Sequence, residues 1–266
     1  MMRKKLPEGN NTGIAIKFLL LIFIIVLSSL IFKLGVLINK GSFDDTRRFT
    51  VSVHNDKAQE LISFSPKSQT ISILKINGRV KASDLNRFLG IPIDADIKTD
   101  LDIQEKLPDL MGKLILKFNN LKTNLTIVDI FRLYLFSRTI PQNYIYEKEI
   151  SSNLDNLNTD KLISHFFTDE IIEKENVSIK IINSTGINGL GNRLARLISN
   201  MGGNVVIVAT EERLENQSSI SYFGKKTYTA ERLAKILGFQ LIKADKKAIT
   251  DIIITIGKDN SSHSNF

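Results

Sequence analysis

The apolar run at residues 14–38, IAIKFLLLIFIIVLSSLIFKLGVLI, limits what this chain can be more than any other stretch. As a helix rising 1.5 Å per residue it is about 37 Å long, enough to cross a hydrocarbon layer of about 30 Å. Its only charges, Lys17 and Lys33, lie near its ends, where the stems can follow apolar surface while the ammonium groups reach headgroups. Arg3, Lys4 and Lys5 precede the run against Glu8 alone, so the positive-inside rule predicts residues 1–13 in the cytoplasm and the remainder outside it. A cleaved export signal has a shorter apolar core and an A-x-A-like site. Here Ser28 and Ser29 are followed by Leu30, Ile31 and Phe32, so an uncleaved, single-pass anchor in the lipid bilayer is expected.

With no cysteine among 266 residues, the part beyond the anchor must hold together by packing alone. The net charge of +8 is scattered among acids and forms no basic stripe interleaved with aromatics, so nucleic acid is not an expected partner. His54, His165 and His263 lack metal-ligand spacing, and no metal or cofactor is expected. His165, beside Phe166 on an apolar helix, reads as a packing residue. No G-x-S-x-G signature for nucleophilic catalysis occurs.

Residues 41–48 (GSFDDTRR) read as a juxtamembrane spacer. Period-two alternation then predicts three half-buried strands, in FTVSVHND, ELISFSP and TISILKI, the last two joined as a hairpin by Pro66-Lys67-Ser68-Gln69. Asn77-Gly78 ends the third strand, and a short helix follows with Ser83 as N-cap and Gly90 beyond its end. Residues 91–103 are acidic and aperiodic and read as loop. Helices are predicted over 107–117 and 127–137, the second with Thr126 and Asp129 as a capping box. Pro141 stops it, and NYIYEKEI is a closing strand, completing an α+β domain over 49–150.

Residues 151–176 read as a linker containing a helix. Residues 177–257 then give the order β-α-β-β-α-β-β, a small α/β unit with two helices on one face of a sheet. Residues 258–266 read as a disordered tail. The glycines at 186, 189 and 191 sit between strand and helix, but their G-x-x-G-x-G spacing is not a dinucleotide fingerprint. Two readings stay open: the glycines relieve crowding at the turn, or the free N–H groups at the helix start hold an anion or a partner with Asn183, Thr185, Gly186, Gly189 and Arg193.

VSIKIINSTGINGLGNRLARLISNMGGNVVIVA, with Asn183, Thr185, Gly186, Gly189 and residues 203–205 at the matching positions, resembles the opening of the C-terminal domain that accompanies many LytR-CpsA-Psr proteins. TYTAERLAKILGFQLIKADKKAITDIIITIG fits its second half. More distantly, LISFSPKSQTISILKI and the segment containing Thr123 to Thr126 resemble parts of that family's catalytic domain. The resemblance implies transfer of glycopolymers from a polyprenyl pyrophosphate to the cell wall, with arginines and a carboxylate-held Mg²⁺ stabilising the phosphates. This chain has Asn77-Gly78-Arg79-Val80 where the family has Pro-Arg-Asp-Thr, and only a short segment where the pocket belongs. The expectation is therefore a shortened, non-catalytic relative that binds or scaffolds cell-wall glycopolymer or another envelope protein, or has a regulatory role. The alternative is a residual phosphotransferase using Arg79, Arg87 and the acidic residues 94–102 with Mg²⁺.

Overall fold

The computed structural model describes residues 11–39, 41–77, 82–151, 156–245 and 249–260. Two units result, one ending at Ser42 and one starting at Phe43. The first is the helix α1 (Asn11–Asn39), in which Ala15–Lys33 is long and apolar enough to cross a membrane.

The second unit is mixed α+β and contains two sheets. The first is built from β1 (Phe49–His54), β2 (Gln59–Ser65), β3 (Thr70–Asn77), β4 (Ala95–Lys98), β5 (Lys122–Thr123) and β6 (Ile145–Ser151), in the order β5-β4-β1-β2-β3-β6. The hairpin forms as its alternation predicts, with β2 antiparallel to β3 and Ser65 opposite Thr70. The two outer partners, β4 on β1 and β6 on β3, are parallel.

Three expectations for this region are corrected. The strands are not half-buried: every residue of β2 is buried. One face carries Val51, Val53, Ile62, Phe64, Ile71 and Ile73 against α3 (Leu107–Leu116) and α4 (Ile127–Thr139). The other carries Leu61, Leu74 and Ile76 against α2 (Ala82–Leu89) and α5 (Asn156–Phe167). Alternation survived because small hydroxyl residues (Thr50, Ser52, Ser63, Ser65 and Ser72) fill the rest of that second face. Next, the acidic stretch after Ile91 is not all loop. Ala95 and Ile97 are buried in the core, and β4 pairs with β1, so tertiary pairing overrides a run too short and charged to announce a strand. Finally, residues 43–48 are not spacer. Phe43 is a core residue in aromatic contact with Phe49, Phe64 and Phe136, and Arg47 and Arg48 are buried.

The capping box on α4 is present, with Thr126 and Asp129 bonding reciprocally. α2 starts at Ala82, which puts Ser83 in its first turn, and Gly90 follows it at φ +61°. The stretch 151–176 carries α5 and α6 (Glu170–Glu175), with Ile163, Phe167 and Ile172 buried.

The second sheet contains β7 (Ser178–Asn183), β8 (Asn204–Thr210), β9 (Ser219–Phe223), β10 (Gln240–Ala244) and β11 (Ile252–Ile256), in the order β10-β9-β11-β7-β8. The helices α7 (Leu190–Asn200) and α8 (Tyr228–Leu237) pack on one face over Ile179, Ile181, Ile220, Ile252 and Ile254. This is the element order that periodicity predicts. It is legible because each helix has one apolar stripe and each boundary a marker, with Gly189 before α7, Thr227 capping α8 and Gly238 closing it.

Candidate functional site

Asn183 ends β7, and its side chain closes the turn that follows. Its Oδ1 accepts from Thr185 Oγ1 (2.7 Å) and its Nδ2 donates to the Ile187 carbonyl (2.8 Å). Thr185 Oγ1 in turn accepts from the Ile187 N–H (3.0 Å). Both side chains are buried. Gly186 and Gly189 are left-handed, at φ +77° and +83°, and a Cβ on Gly191 would come within 3.0 Å of Val208 Cγ1. Arg193 lies one turn into α7, and burial followed by repulsion from Arg87 lowers its pKa.

Arg79 and His263 lie outside the described residues. Arg87 is on α2, whose C-terminal carbonyls are capped from α7: Arg196 donates to the carbonyls of Arg87 (3.1 Å) and Phe88 (3.0 Å), and Asn200 to that of Leu89 (3.2 Å). A guanidinium placed there complements the negative helix end. His165 is exposed, with its ring edge-on to Phe166, which corrects the packing role expected for it. The apolar face of α5 uses Ile163 and Phe167 instead.

Two arginines and carboxylates do converge elsewhere, at a place that no sequence motif marks. Arg48, Arg232 and Asp169 line a cavity of about 10 Å³ beside Thr50, Ile91 and Phe167. That is room for about one water molecule. Both guanidinium groups are engaged through their terminal nitrogens, while the Nε of each is buried without a hydrogen-bond partner among the described residues. Arg48 Nη2 donates to Glu170 Oε1 (2.7 Å) and its Nη1 to the Phe166 carbonyl (2.8 Å). Arg232 grips Asp94 with both terminal nitrogens (2.8 and 3.0 Å). Burial opposes the charge on Glu170, but Arg48 and the Ser65 hydroxyl outweigh it and hold its carboxyl below the usual value. Tyr228 donates to Asp169 (2.8 Å), and burial together with that carboxylate pushes its hydroxyl pKa up.

A larger cleft of about 320 Å³ opens beside this cluster, lined by Ser52, Asn86, Ile93, Asp94, Ala95, Asp96 and Asn124. Strand alternation builds it: with Ala95 and Ile97 in the core, Asp94 and Asp96 face the other way, and Asp96 sits next to Ser52 in the parallel register. Asn124 fixes this edge, accepting from the Asp96 N–H (3.0 Å) and donating to the Asp94 carbonyl (3.3 Å). His54 Nδ1 lies 3.3 Å from Asp96 Oδ1. The buried Ser52 hydroxyl finds no partner among the described residues. The cleft thus offers carboxylate and amide oxygens, amide N–H donors and a hydroxyl, a set suited to hydroxyl-bearing ligands. Asp94 and Asp96 belong to the acidic run legible in the sequence. Asn86, Asn124 and Ser52 carried no signal there.

Residues 176–259 match the family model described as LytR cell envelope-related transcriptional attenuator. No curated protein matches the chain. Among solved structures, similarity extends to a Bacillus subtilis protein described as the transcriptional regulator yvhJ, at 14% identity and TM-score 0.32 over 39% of this chain and 82% of that one. It also extends to Lin1025 of Listeria innocua, at 12% identity and TM-score 0.34 over 45% and 96%. TagV of B. subtilis aligns at 10% identity and TM-score 0.29 over 39% and 84%.

Proposed function

We propose that this chain, whose residues 176–259 form a LytR-type C-terminal domain of the cell envelope, is a single-pass membrane protein with its folded unit outside the cytoplasm. There it binds or scaffolds wall glycopolymer rather than transferring it. The observation that carries this reading is the contrast between the two cavities. The one with converging arginines has about 10 Å³ and the terminal nitrogens of its guanidinium groups are engaged, whereas the roomy cleft presents Asp96, Asn86 and Ser52. A diphosphate needs cations facing it. Saccharide hydroxyls are met by carboxylates and amides.

The test is equilibrium binding of purified wall glycopolymer to the full-length protein in nanodiscs, with release of polyprenyl phosphate from added polyprenyl-pyrophosphate-linked glycopolymer followed in parallel. Binding that weakens in Asp96→Ala and Asn86→Ala, without turnover, is the expected result. Turnover that needs Arg87, or binding indifferent to both cleft variants, overturns the proposal.

A further inference from the structure

The outward face of α4 is apolar where a helix at a water surface is ordinarily polar. Ile127, Phe131 and Leu135, spaced four apart, are 39%, 48% and 46% exposed, and so align along one side of the helix. The inward side is occupied by Asp129, Ile130, Leu133 and Ser137, so the stripe is not a core face left open by chance. Single exposed apolar residues are ordinary. A stripe along two turns marks a contact surface.

The occupant follows from connectivity and charge. The Phe43 N–H donates to Asp129 Oδ1 (3.0 Å), and Arg132 Nη1 donates to the Phe43 carbonyl (2.9 Å), so the first residue of the folded unit is fastened to α4. Three residues separate Phe43 from Asn39, the last of α1. A chain of that length reaches roughly 14 Å at most. α4 carries one acid, Asp129, which is buried, while Arg138 is exposed and lies 5.8 Å from the Tyr134 ring centroid. An apolar stripe bordered by arginine and tyrosine has the composition of a helix lying in the headgroup region of an anionic bilayer.

We propose that α4 docks on the membrane surface through Ile127, Phe131 and Leu135, a reading that rests on α1 being the anchor. It does not depend on what the cleft binds. Because the chain has no cysteine, one introduced thiol reports one position. The full chain in nanodiscs of phosphatidylcholine and phosphatidylglycerol is labelled with a polarity-sensitive fluorophore at Phe131→Cys, Leu135→Cys, Leu20→Cys or Val206→Cys, and quencher lipids are added. The expected result is a blue shift and loss of intensity at 131 and 135, strongest with a headgroup-level quencher. Leu20 should respond to a quencher in the bilayer centre, and Val206 on β8 to neither. Labels at 131 and 135 that behave like Val206 while Leu20 is quenched overturn the docking and leave the anchor standing. A blue shift at 131 and 135 without quenching means that protein covers the stripe, and also overturns it. An unquenched Leu20 removes the anchor and the docking together.

Discussion

Arg232, on α8 of the second sheet, and Asp94, at the edge of the first, meet in a two-pronged ion pair of 2.8 and 3.0 Å, although 138 positions separate them in the chain. Arg232 is buried and Asp94 nearly so, and Asp94 also accepts from the Thr50 N–H at the start of β1 (3.0 Å). The pair therefore joins the LytR-type domain to the first sheet at the wall of the cleft. Removing one member of such a pair strands the other's charge, whereas replacing both by apolar groups does not.

Asp94→Leu alone is accordingly expected to destabilise the folded unit by about 3–5 kcal/mol, and Asp94→Leu with Arg232→Leu by much less. Urea unfolding of the two variants checks this. Equal losses would show that the pair is no more than packing.

Glu60 makes stability fall with rising pH. It is buried on β2, and burial first, aided by Glu147 and Asp102, raises its pKa from 4.5 to about 7 against the opposing pull of Lys75. Between pH 4.5 and about 7 the folded state holds a proton that the unfolded chain has released, so each step upward costs stability, with the full penalty above about 7. Glu60→Gln should remove that slope and stabilise the protein at pH 8 by about 1–3 kcal/mol, discounted for the group's partial solvation. Unfolding midpoints at pH 5 and pH 8 measure it.

At the start of α4, Asp129 and Thr126 share a capping box, but their roles differ in reach. Asp129 also accepts from the Phe43 N–H, a tie between that residue and the helix that Thr126 does not make. Thr126→Ala should cost about 1 kcal/mol, the ordinary worth of a cap. Asp129→Ala should cost about 2–4 kcal/mol because it leaves buried donors unpaired. Thermal unfolding of both variants orders them.

Two glycines of the LytR-type domain should fail for different reasons. A Cβ on Gly257 would lie 2.5 Å from the backbone carbon of Gln217, which has no side-chain freedom to yield, so Gly257→Ala should cost about 3 kcal/mol or more. Gly189 has open space but φ +83°, so Gly189→Ala should cost only about 1 kcal/mol, the strain of a left-handed residue. Chemical denaturation separates a steric clash from a conformational penalty of this size.

The elements easiest to foresee were those with an internal signal. The strand and helix pattern from Ser178 to Ile256 follows from one-sided helices punctuated by glycine and threonine, and the β2–β3 hairpin from alternation around Pro66-Lys67-Ser68-Gln69. What misled was composition read without partners. Ala95 to Lys98 looked like acidic loop because half of its residues line a cleft, and GSFDDTRR looked like spacer because Phe43 is its one apolar residue. Asn183 and Thr185, named from the sequence as candidates for holding an anion or a partner, bond to each other within the turn. Arg87 and Arg193 were named for separate reasons and prove to be near enough to repel.

Local pattern alone determined the membrane-length helix, the hairpin and the β-α-β-β-α-β-β order, because an unbroken apolar run or an apolar stripe of fixed spacing is complete within a few turns of chain and needs no distant partner to be recognised. Only the tertiary structure decided that Arg232 answers Asp94, that Arg48 answers Glu170, and that α4 keeps Ile127, Phe131 and Leu135 outward. Those outcomes depend on which charges are buried together and which helix face lacks a neighbour. They are set by long-range packing and desolvation, which leave no periodic trace in a one-dimensional string.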